Sequence, residues 1–121
     1  MTDTKTIVDR YLAIWNEGDA ARRRALIASA WTEDATYVDP VMKGAGHDGI
    51  DAMIAGAQAQ FPGFEFKPLG APDAHGDRLR FRWTLGPTGA DAIIDGTDFA
   101  VIAPDGRIAS VTGFIDRMPQ Q

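Results

Sequence analysis

The sequence predicts an α+β domain in which three N-terminal helices pack on a strongly curved antiparallel sheet. Apolar residues recur at helical spacing in the first half of the chain, and from Phe64 onward they alternate at the spacing of strands. Turn sequences such as Pro104-Asp105-Gly106 then separate the predicted strands at hairpin intervals. With 121 residues, the chain is long enough for one domain, 1–121, and too short for a second core of ordinary size.

Three segments have the apolar spacing of amphipathic helices, and each has an aspartate that can cap its start. Asp3 can cap the first helix, and Gly18 can end it in the left-handed conformation that glycine tolerates. Asp19 can cap the second helix, and Asp48 the third. The residues predicted to face the core are Ile7, Val8, Tyr11, Leu12, Ile14, Trp15, Ala25, Leu26, Ile50, Met53, Ile54, Ala57 and Phe61.

The strands are predicted from alternation and from the residues that interrupt it. A short strand at 35–39 stops at Pro40, which cannot donate to a ladder. Residues 78–85 alternate without a break between apolar and polar side chains, and Gly96 predicts a bend within 91–103. Because a curved sheet facing helices encloses a cone-shaped space, this fold predicts a pocket for a small organic molecule.

Charge and composition argue against several classes of function. The net charge of −5 is unsuited to sequence-independent nucleic-acid binding, and the basic run Arg22-Arg23-Arg24 is expected to lie on a solvated helix face. No apolar run is long enough to cross a bilayer, and the N-terminus has no signal pattern. With cysteine absent as well, we expect a cytoplasmic protein.

Neither a metal nor a cofactor is predicted. The two histidines are far apart in sequence, so no metal-ligand spacing exists. Residues 44–49 spell G-x-G-x-x-G, but no βαβ unit surrounds them, and they are interpreted as a loop at the start of the third helix.

Two aspartates stand out because their neighbours are apolar. Asp39 ends the segment 37–40, and Asp98 lies within the apolar run 93–102. A carboxylate in such a strand either faces solvent or loses hydration, which would make it an acid–base group with a raised pKa. The residues alone leave both interpretations open.

Three segments resemble the nuclear-transport-factor-2-like superfamily, which includes the ketosteroid isomerases and the SnoaL-like polyketide cyclases. They are RYLAIWNEGD (10–19), EDATYVDPVMKG (33–44) and TDFAVIAPDGRI (97–108). The resemblance extends from about residue 3 to residue 117. It implies a cone-shaped, cystatin-like α+β barrel, commonly assembled as a homodimer, with a small apolar, polyketide-like or steroid-like ligand.

The resemblance to the ketosteroid isomerases also implies roles for three residues. Asp39 matches the general base, while Tyr11 and Asp98 match the two oxyanion donors. For Asp98 to donate, its carboxyl must remain protonated near neutral pH. Around the ligand we expect Trp15, Tyr37 and His47.

Other functions on the same fold remain open. The chain could bind an apolar metabolite without converting it, or it could be a dehydratase to which His47 contributes. A hydrolase would use an arginine such as Arg80 or Arg82 to activate water, although strand alternation directs both away from the apolar face.

Overall fold

The computed structural model describes residues 3–119, so the predicted domain limits at residues 1 and 121 lie outside the described residues. Three helices pack on a curved sheet, which confirms the α+β class. The elements in chain order are α1 (Thr4–Asn16), α2 (Ala20–Ala30), β1 (Trp31–Val38), β2 (Lys43–Ala45), α3 (Gly46–Gln60), β3 (Phe64–Pro68), β4 (Asp73–His75), β5 (Arg78–Pro87), β6 (Ile94–Ile102) and β7 (Ile108–Arg117).

The sheet is mixed and open, whereas the sequence predicted an antiparallel one. Its strand order is β2-β1-β7-β6-β5-β3, and β4 also pairs with β5. Every pairing is antiparallel except that of β1 with β7, which is parallel. Periodicity reports where a strand lies but not its direction relative to a strand far away in the chain. The parallel pairing brings the end of β1 beside the middle of β7, next to β6.

One of the three helices has the predicted side-chain cap at its start, and the other two do not. The Asp19 carboxylate accepts a hydrogen bond from the Arg22 amide at 2.8 Å, so it caps α2 as predicted. Asp3 occupies the corresponding position before α1, but its side chain makes no capping hydrogen bond. Helix α3 begins at Gly46, three residues before the start expected from a cap at Asp48, so Asp48 lies in its first turn and does not cap it.

The G-x-G-x-x-G segment is explained by a close approach of two backbones. A Cβ atom on Gly44 would lie 2.8 Å from the carbonyl oxygen of Gly49, closer than real Cβ atoms come. Gly46 has a φ of 70°, which favours glycine. These glycines therefore allow β2 to run directly into α3.

The arginine run on α2 is only partly solvated, which corrects the prediction made for it. Arg23 is 5% exposed, and its Nε lies 2.6 Å from the Asp51 carboxylate on α3. Its guanidinium also donates to the Glu17 carbonyl and to Gln58, whose amide donates to the Trp15 carbonyl. This network joins all three helices.

The core-facing surface of α2 also differs from the prediction. Ile27 is fully buried, Leu26 is half-buried and Ala25 is exposed. Arg23 and Ile27 are four residues apart, so they lie on the same side of the helix. The inward surface therefore includes a charged residue, which a search for apolar side chains passes over.

The predicted bend at Gly96 is confirmed. The register between β6 and β7 shifts between Asp95 and Gly96, and Gly96 pairs with Trp83 of β5. A Cβ atom on Gly96 would come within 2.1 Å of the Trp83 indole, so only glycine fits beneath that ring. The buried, concave face of β5 carries Leu79, Phe81, Trp83 and Leu85, as the alternation predicted.

Candidate functional site

A cavity of about 100 Å³ lies between the helices and the concave face of the sheet. Its walls are mostly apolar side chains from α1, α3, β3, β5, β6 and β7. The polar groups that line it are few: two tyrosines, two aspartates, the indoles of Trp15 and Trp83, and Gln60. The lining contains neither lysine nor arginine nor histidine. The cavity therefore offers no basic group to an anionic ligand, and its walls suit a ligand with an apolar body.

The first polar pair joins α1 to β6. The Tyr11 hydroxyl donates to Oδ2 of Asp98 at 2.7 Å, and both residues are 2% exposed. Tyr11 belongs to the apolar stripe of α1, and its ring meets Phe81 edge-on at 5.0 Å between centroids. Asp98 is directed inward by the alternation of β6, in which Gly96 and Ala100 are also buried. Packing on both sides thus fixes this hydrogen bond.

Burial dominates the electrostatics of this pair. Loss of hydration, with a smaller contribution from the charge of Asp39, raises the pKa of Asp98 to about 6, against the opposing effects of the Tyr11 hydrogen bond and of the Trp83 indole. Burial and the Asp98 charge hold the pKa of Tyr11 well above its usual value. At a pKa of about 6, Asp98 is mostly ionised at neutral pH in the unliganded protein. The protonated state required of an oxyanion donor is therefore a minor one before ligand binds.

The second polar pair lies at the end of β1. The Tyr37 hydroxyl donates to Oδ2 of Asp39 at 2.7 Å, because residues two apart in a strand share a face. Oδ1 of Asp39 accepts the amides of Val41 and Met42 at 2.8 and 2.9 Å. A carboxylate offers about four acceptor positions, so about one remains available to a substrate proton.

Gly113 of β7 is the point at which the two pairs meet. It is the cross-strand partner of Asp98. A Cβ atom on Gly113 would lie 2.9 Å from Oδ1 of Asp98 and 3.1 Å from both the Tyr37 hydroxyl and Cβ of Asp39. Only a residue without a side chain lets both pairs approach this closely. Gly113 was not among the site residues predicted from the sequence, although a glycine inside a strand often marks a close approach of another group.

Oδ1 of Asp98 is the group at this junction without a hydrogen-bond partner among residues 3–119. A buried acceptor without a partner is unfavourable, because it has lost its hydration without compensation. Burial raises the pKa of Asp98, and its unpaired Oδ1 lies beside the Tyr37–Asp39 pair.

Five of the six predicted site residues meet at the cavity: Tyr11, Trp15, Tyr37, Asp39 and Asp98. Trp15 packs between Tyr37 and the β3 residue Phe66, with ring centroids 5.5 and 5.3 Å away. His47 is not among the lining residues. Its Nε2 lies 3.0 Å from the Trp31 carbonyl oxygen, in the first turn of α3. The sequence placed His47 in a loop before a helix, and that placement does not determine the direction of its side chain.

The other chemical groups considered from the sequence lie elsewhere. Arg80 is exposed and pairs with Asp73 at 2.9 Å, while Arg82 lies 3.8 Å from Asp116. Both arginines project from the face of β5 opposite the cavity. Within residues 3–119 no three histidine or acidic side chains are grouped to hold a metal ion. In the same part of the chain, no helix has the length and apolar character needed to cross a bilayer.

The sequence and the fold are both similar to those of known proteins. The family model for the SnoaL-like domain matches residues 8–111. A solved structure from Agrobacterium tumefaciens str. C58, described as a proposed isomerase of the SnoaL-like family, is 47% identical. The alignment covers 96% of this chain and 99% of that one, with a TM-score of 0.91. No protein of curated function is a significant match to the sequence.

More distant structures share the fold alone. A SnoaL-like protein of unknown function from Burkholderia thailandensis E264 is 15% identical, with a TM-score of 0.73 and coverage of 95% of this chain and 98% of that one. A proposed polyketide cyclase from Sinorhizobium meliloti is 18% identical, with a TM-score of 0.70 and coverage of 93% and 99%.

Proposed function

The chain belongs to the SnoaL-like domain family, and from that premise we propose that it is an acid–base enzyme of the ketosteroid isomerase or polyketide cyclase type. The observation that carries the proposal is the convergence of two tyrosine–aspartate pairs at Gly113, beside an apolar cavity. The buried carboxyl group of Asp98, with a pKa of about 6, can hold and release a proton near neutral pH.

The proposed reaction moves a proton between carbons next to a carbonyl group. Asp39 removes the proton through its remaining acceptor position, and the electron pair of the broken C–H bond passes to the carbonyl oxygen. Tyr11 and Asp98 then donate hydrogen bonds to that oxygen as its negative charge develops. Asp39 returns the proton to another carbon in an isomerisation. In a cyclisation, the enolate carbon bonds to a second carbonyl carbon of the substrate, the π electrons of that carbonyl move to its oxygen, and this oxygen takes the proton held by Asp39.

Asp98 has to take up a proton for this arrangement to work. In the unliganded protein the Tyr11 hydroxyl donates to the Asp98 carboxylate, so its proton is not free for a substrate. An apolar ligand that excludes water raises the pKa of Asp98 beyond about 6, because it removes the remaining hydration of the charged form. Ligand binding would then protonate Asp98 and free the Tyr11 proton for the substrate oxygen.

A second candidate exchanges the roles of the two aspartates. Oδ1 of Asp98 is buried without a hydrogen-bond partner among the described residues, and a pKa of about 6 suits a general base working near neutral pH. Asp39 would then be the oxyanion donor and would have to carry a proton. This alternative keeps the same reaction class and differs only in which carboxylate accepts the proton.

Conversion of a β,γ-unsaturated ketosteroid to its conjugated enone, followed by ultraviolet absorbance, tests the proposal. We expect Asp39→Asn to lower kcat at least about 100-fold, the usual contribution of a general base. Asp98→Asn retains a neutral donor, so we expect its kcat to stay within about tenfold of the native value.

The pattern of the two variants separates the candidates. Loss of turnover in Asp98→Asn with retention in Asp39→Asn supports the exchanged roles. Turnover that survives in both variants rejects carboxylate catalysis. If the native protein binds the steroid without converting it, a non-catalytic binding protein is supported in place of an isomerase.

A further inference from the structure

Each of the three tryptophans buries an indole N–H group that has no hydrogen-bond partner among residues 3–119. Trp15, Trp31 and Trp83 are 5%, 0% and 6% exposed. A buried donor without a partner has lost its hydration without compensation, which is rare in a folded protein. Trp15 and Trp83 line the cavity, whereas Trp31 does not. Trp83 lies beside Asp98, whose Oδ1 also lacks a partner in the described part of the chain.

The position of the Trp83 indole is fixed by its neighbours on the concave face of the sheet. Trp83 pairs with Gly96 across β5 and β6, and its ring covers that glycine. A Cβ atom on Gly96 would lie 2.4 Å from Cε2 of the indole, the ring carbon to which Nε1 is bonded. The Phe66 ring meets the indole edge-on, with centroids 5.4 Å apart. These contacts hold the indole against β6.

Asp98 is the acceptor that the Trp83 N–H can reach from this position. Gly96 and Asp98 both face the cavity from β6, and same-face positions on a strand are about 7 Å apart. Nε1 is bonded to the ring carbon above Gly96, and the Asp98 oxygens extend two bonds beyond Cβ, which brings the two groups within reach of each other. Burial raises the pKa of Asp98, and the Trp83 indole opposes that rise as a donor beside the carboxylate. The carboxylate has enough acceptor positions for this N–H as well as for the Tyr11 hydroxyl.

We propose that Trp83 is a positioning residue for Asp98, holding the charged carboxylate through its indole N–H. The inference rests on the proposed function only in giving the Asp98 proton a part in the reaction. An indole N–H can donate but not accept, so it stabilises the charged carboxylate more than the neutral carboxyl group. Trp83 therefore sets how readily Asp98 takes up the proton that the proposed reaction requires.

Three other titratable groups face Asp98, and their effects have to be distinguished from that of Trp83. They are Tyr11 on α1, Tyr37 on β1 and Asp39 immediately after β1. None of them has an indole N–H, whose proton and nitrogen NMR frequencies report on the hydrogen bond made by that group. The chain contains three tryptophans, so three indole signals are expected, and Trp83→Phe identifies the one that belongs to Trp83.

The first experiment is an NMR titration of the native protein between about pH 4 and pH 8, which brackets the Asp98 pKa of about 6. The indole signals are followed together with the carbon signal of the Asp98 carboxyl group. We expect the Trp83 N–H proton to move downfield as Asp98 loses its proton, with the same midpoint as the carboxyl group. Asp98→Asn should abolish this movement, and the Trp31 signal should not follow the carboxyl group.

The second experiment removes the donor. Trp83→Phe keeps an aromatic ring but lacks the N–H, so we expect the midpoint of the Asp98 titration to rise by about one pH unit, the size expected for a lost hydrogen bond to a charged group. Trp31→Phe is the matched control, because it also removes a buried indole N–H that has no partner within the described residues. We expect this control to leave the Asp98 midpoint within about 0.3 pH units of the native value.

Three results would overturn the proposal: a Trp83 signal that stays constant while Asp98 titrates, an unchanged Asp98 midpoint in folded Trp83→Phe, or an equal rise in Trp31→Phe. Circular dichroism checks that each variant is folded. If Trp83→Phe does not fold, Trp15→Phe and Trp31→Phe assign the Trp83 signal by elimination, and the native titration decides. Neither experiment requires turnover, so both separate failure of this proposal from failure of the proposed catalysis, which the aspartate variants test by steroid conversion.

Discussion

Gly113 limits residue size at the point where the two tyrosine–aspartate pairs meet. A Cβ atom there would press on Oδ1 of Asp98 at 2.9 Å and on the Tyr37 hydroxyl at 3.1 Å. We therefore expect Gly113→Ala to lower kcat by about tenfold to 100-fold, because displacement of reacting groups by about 1 Å has effects of that size. Steroid isomerisation rates provide the measurement.

Gly56→Ala is the matched control for that variant. Nothing lies within 4 Å of a Cβ atom at position 56, which is in α3. Because alanine favours a helix by about 1 kcal/mol over glycine, this change should stabilise the fold without altering turnover. Full activity in Gly113→Ala would contradict the account of the junction.

The Asp98 carboxyl also predicts a pH dependence of stability. Its folded pKa of about 6 lies above the value of about 3.9 for an unfolded aspartate, so the unfolded chain releases its proton first as pH rises. Asp98 therefore lowers the free energy of unfolding between about pH 4 and pH 6, by about 3 kcal/mol in all, and has no such effect below that window.

The Asp98→Asn variant should not show this decrease in the free energy of unfolding. We expect the free energy of unfolding of the variant, relative to native protein, to rise by about 2–3 kcal/mol between pH 4 and neutral pH. Urea unfolding at several pH values gives this difference, and the exposed Asp91→Asn serves as the control. A constant difference across the range would show that Asp98 does not titrate there.

The network around Arg23 is the corresponding feature of the helices. Arg23 is buried between α2 and α3, where it pairs with Asp51 and donates to Glu17 and Gln58. Without Arg23, the Asp51 carboxylate keeps only Arg24 among the described residues, with its guanidinium 3.6 Å away. Removing one member of a buried pair lowers the free energy of unfolding by about 3 kcal/mol or more. We expect Arg23→Met to lower the free energy of unfolding by about that amount, as measured by urea unfolding.

Arg22→Met gives the contrast for Arg23. Arg22 is exposed on the same helix, so its side-chain substitution should change the free energy of unfolding by less than about 0.5 kcal/mol. Equal effects of the two substitutions would contradict a specific role for the Arg23 network.

The elements that the sequence predicted are those with a long apolar period. Helices α1 and α3 and strand β5 were predicted with their buried faces. Strands β2 and β4 have three residues each, too few for a period to appear. The burial of Arg23 depends on Asp51, which lies 28 residues away and whose proximity only the folded chain creates.

Across the whole molecule, the outer face of the sheet predicts a homodimer. Val38, Thr112 and Phe99 form a row across β1, β7 and β6, and Phe114 lies on the same face. The three apolar side chains are 47%, 38% and 56% exposed for Val38, Phe99 and Phe114 respectively. Contiguous apolar side chains on a sheet face are typical of a protein–protein interface.

Light scattering after size-exclusion chromatography tests the dimer. We expect the native protein to be dimeric and Phe114→Glu to be monomeric, because a charge would be buried without a partner in the interface. Ala25→Glu, on the exposed side of α2, should remain dimeric. A monomeric native protein would contradict the proposed interface.

Site residues that lie in recognisable sequence segments could be predicted, whereas features formed by contacts between distant elements could not. Tyr11, Asp39 and Asp98 lie in segments with motif resemblance, so their approach to one cavity could be expected before the structure was available. The role of Gly113 depends on contacts between β1, β6 and β7, which no local pattern encodes. His47 was predicted near the ligand from its residue type and position, but its ring lies against the Trp31 carbonyl and does not line the cavity.

The proposed function depends most directly on removal by Asp39 of a proton from the carbon next to a carbonyl group. Exchange of α-protons for deuterium in a cyclic ketone, followed by proton NMR in heavy water, measures that step without requiring a particular product. We expect the native protein to accelerate exchange, Asp39→Asn to abolish the acceleration and Asp98→Asn to retain most of it. Equal exchange with and without native protein, or full exchange in Asp39→Asn, would contradict the claim.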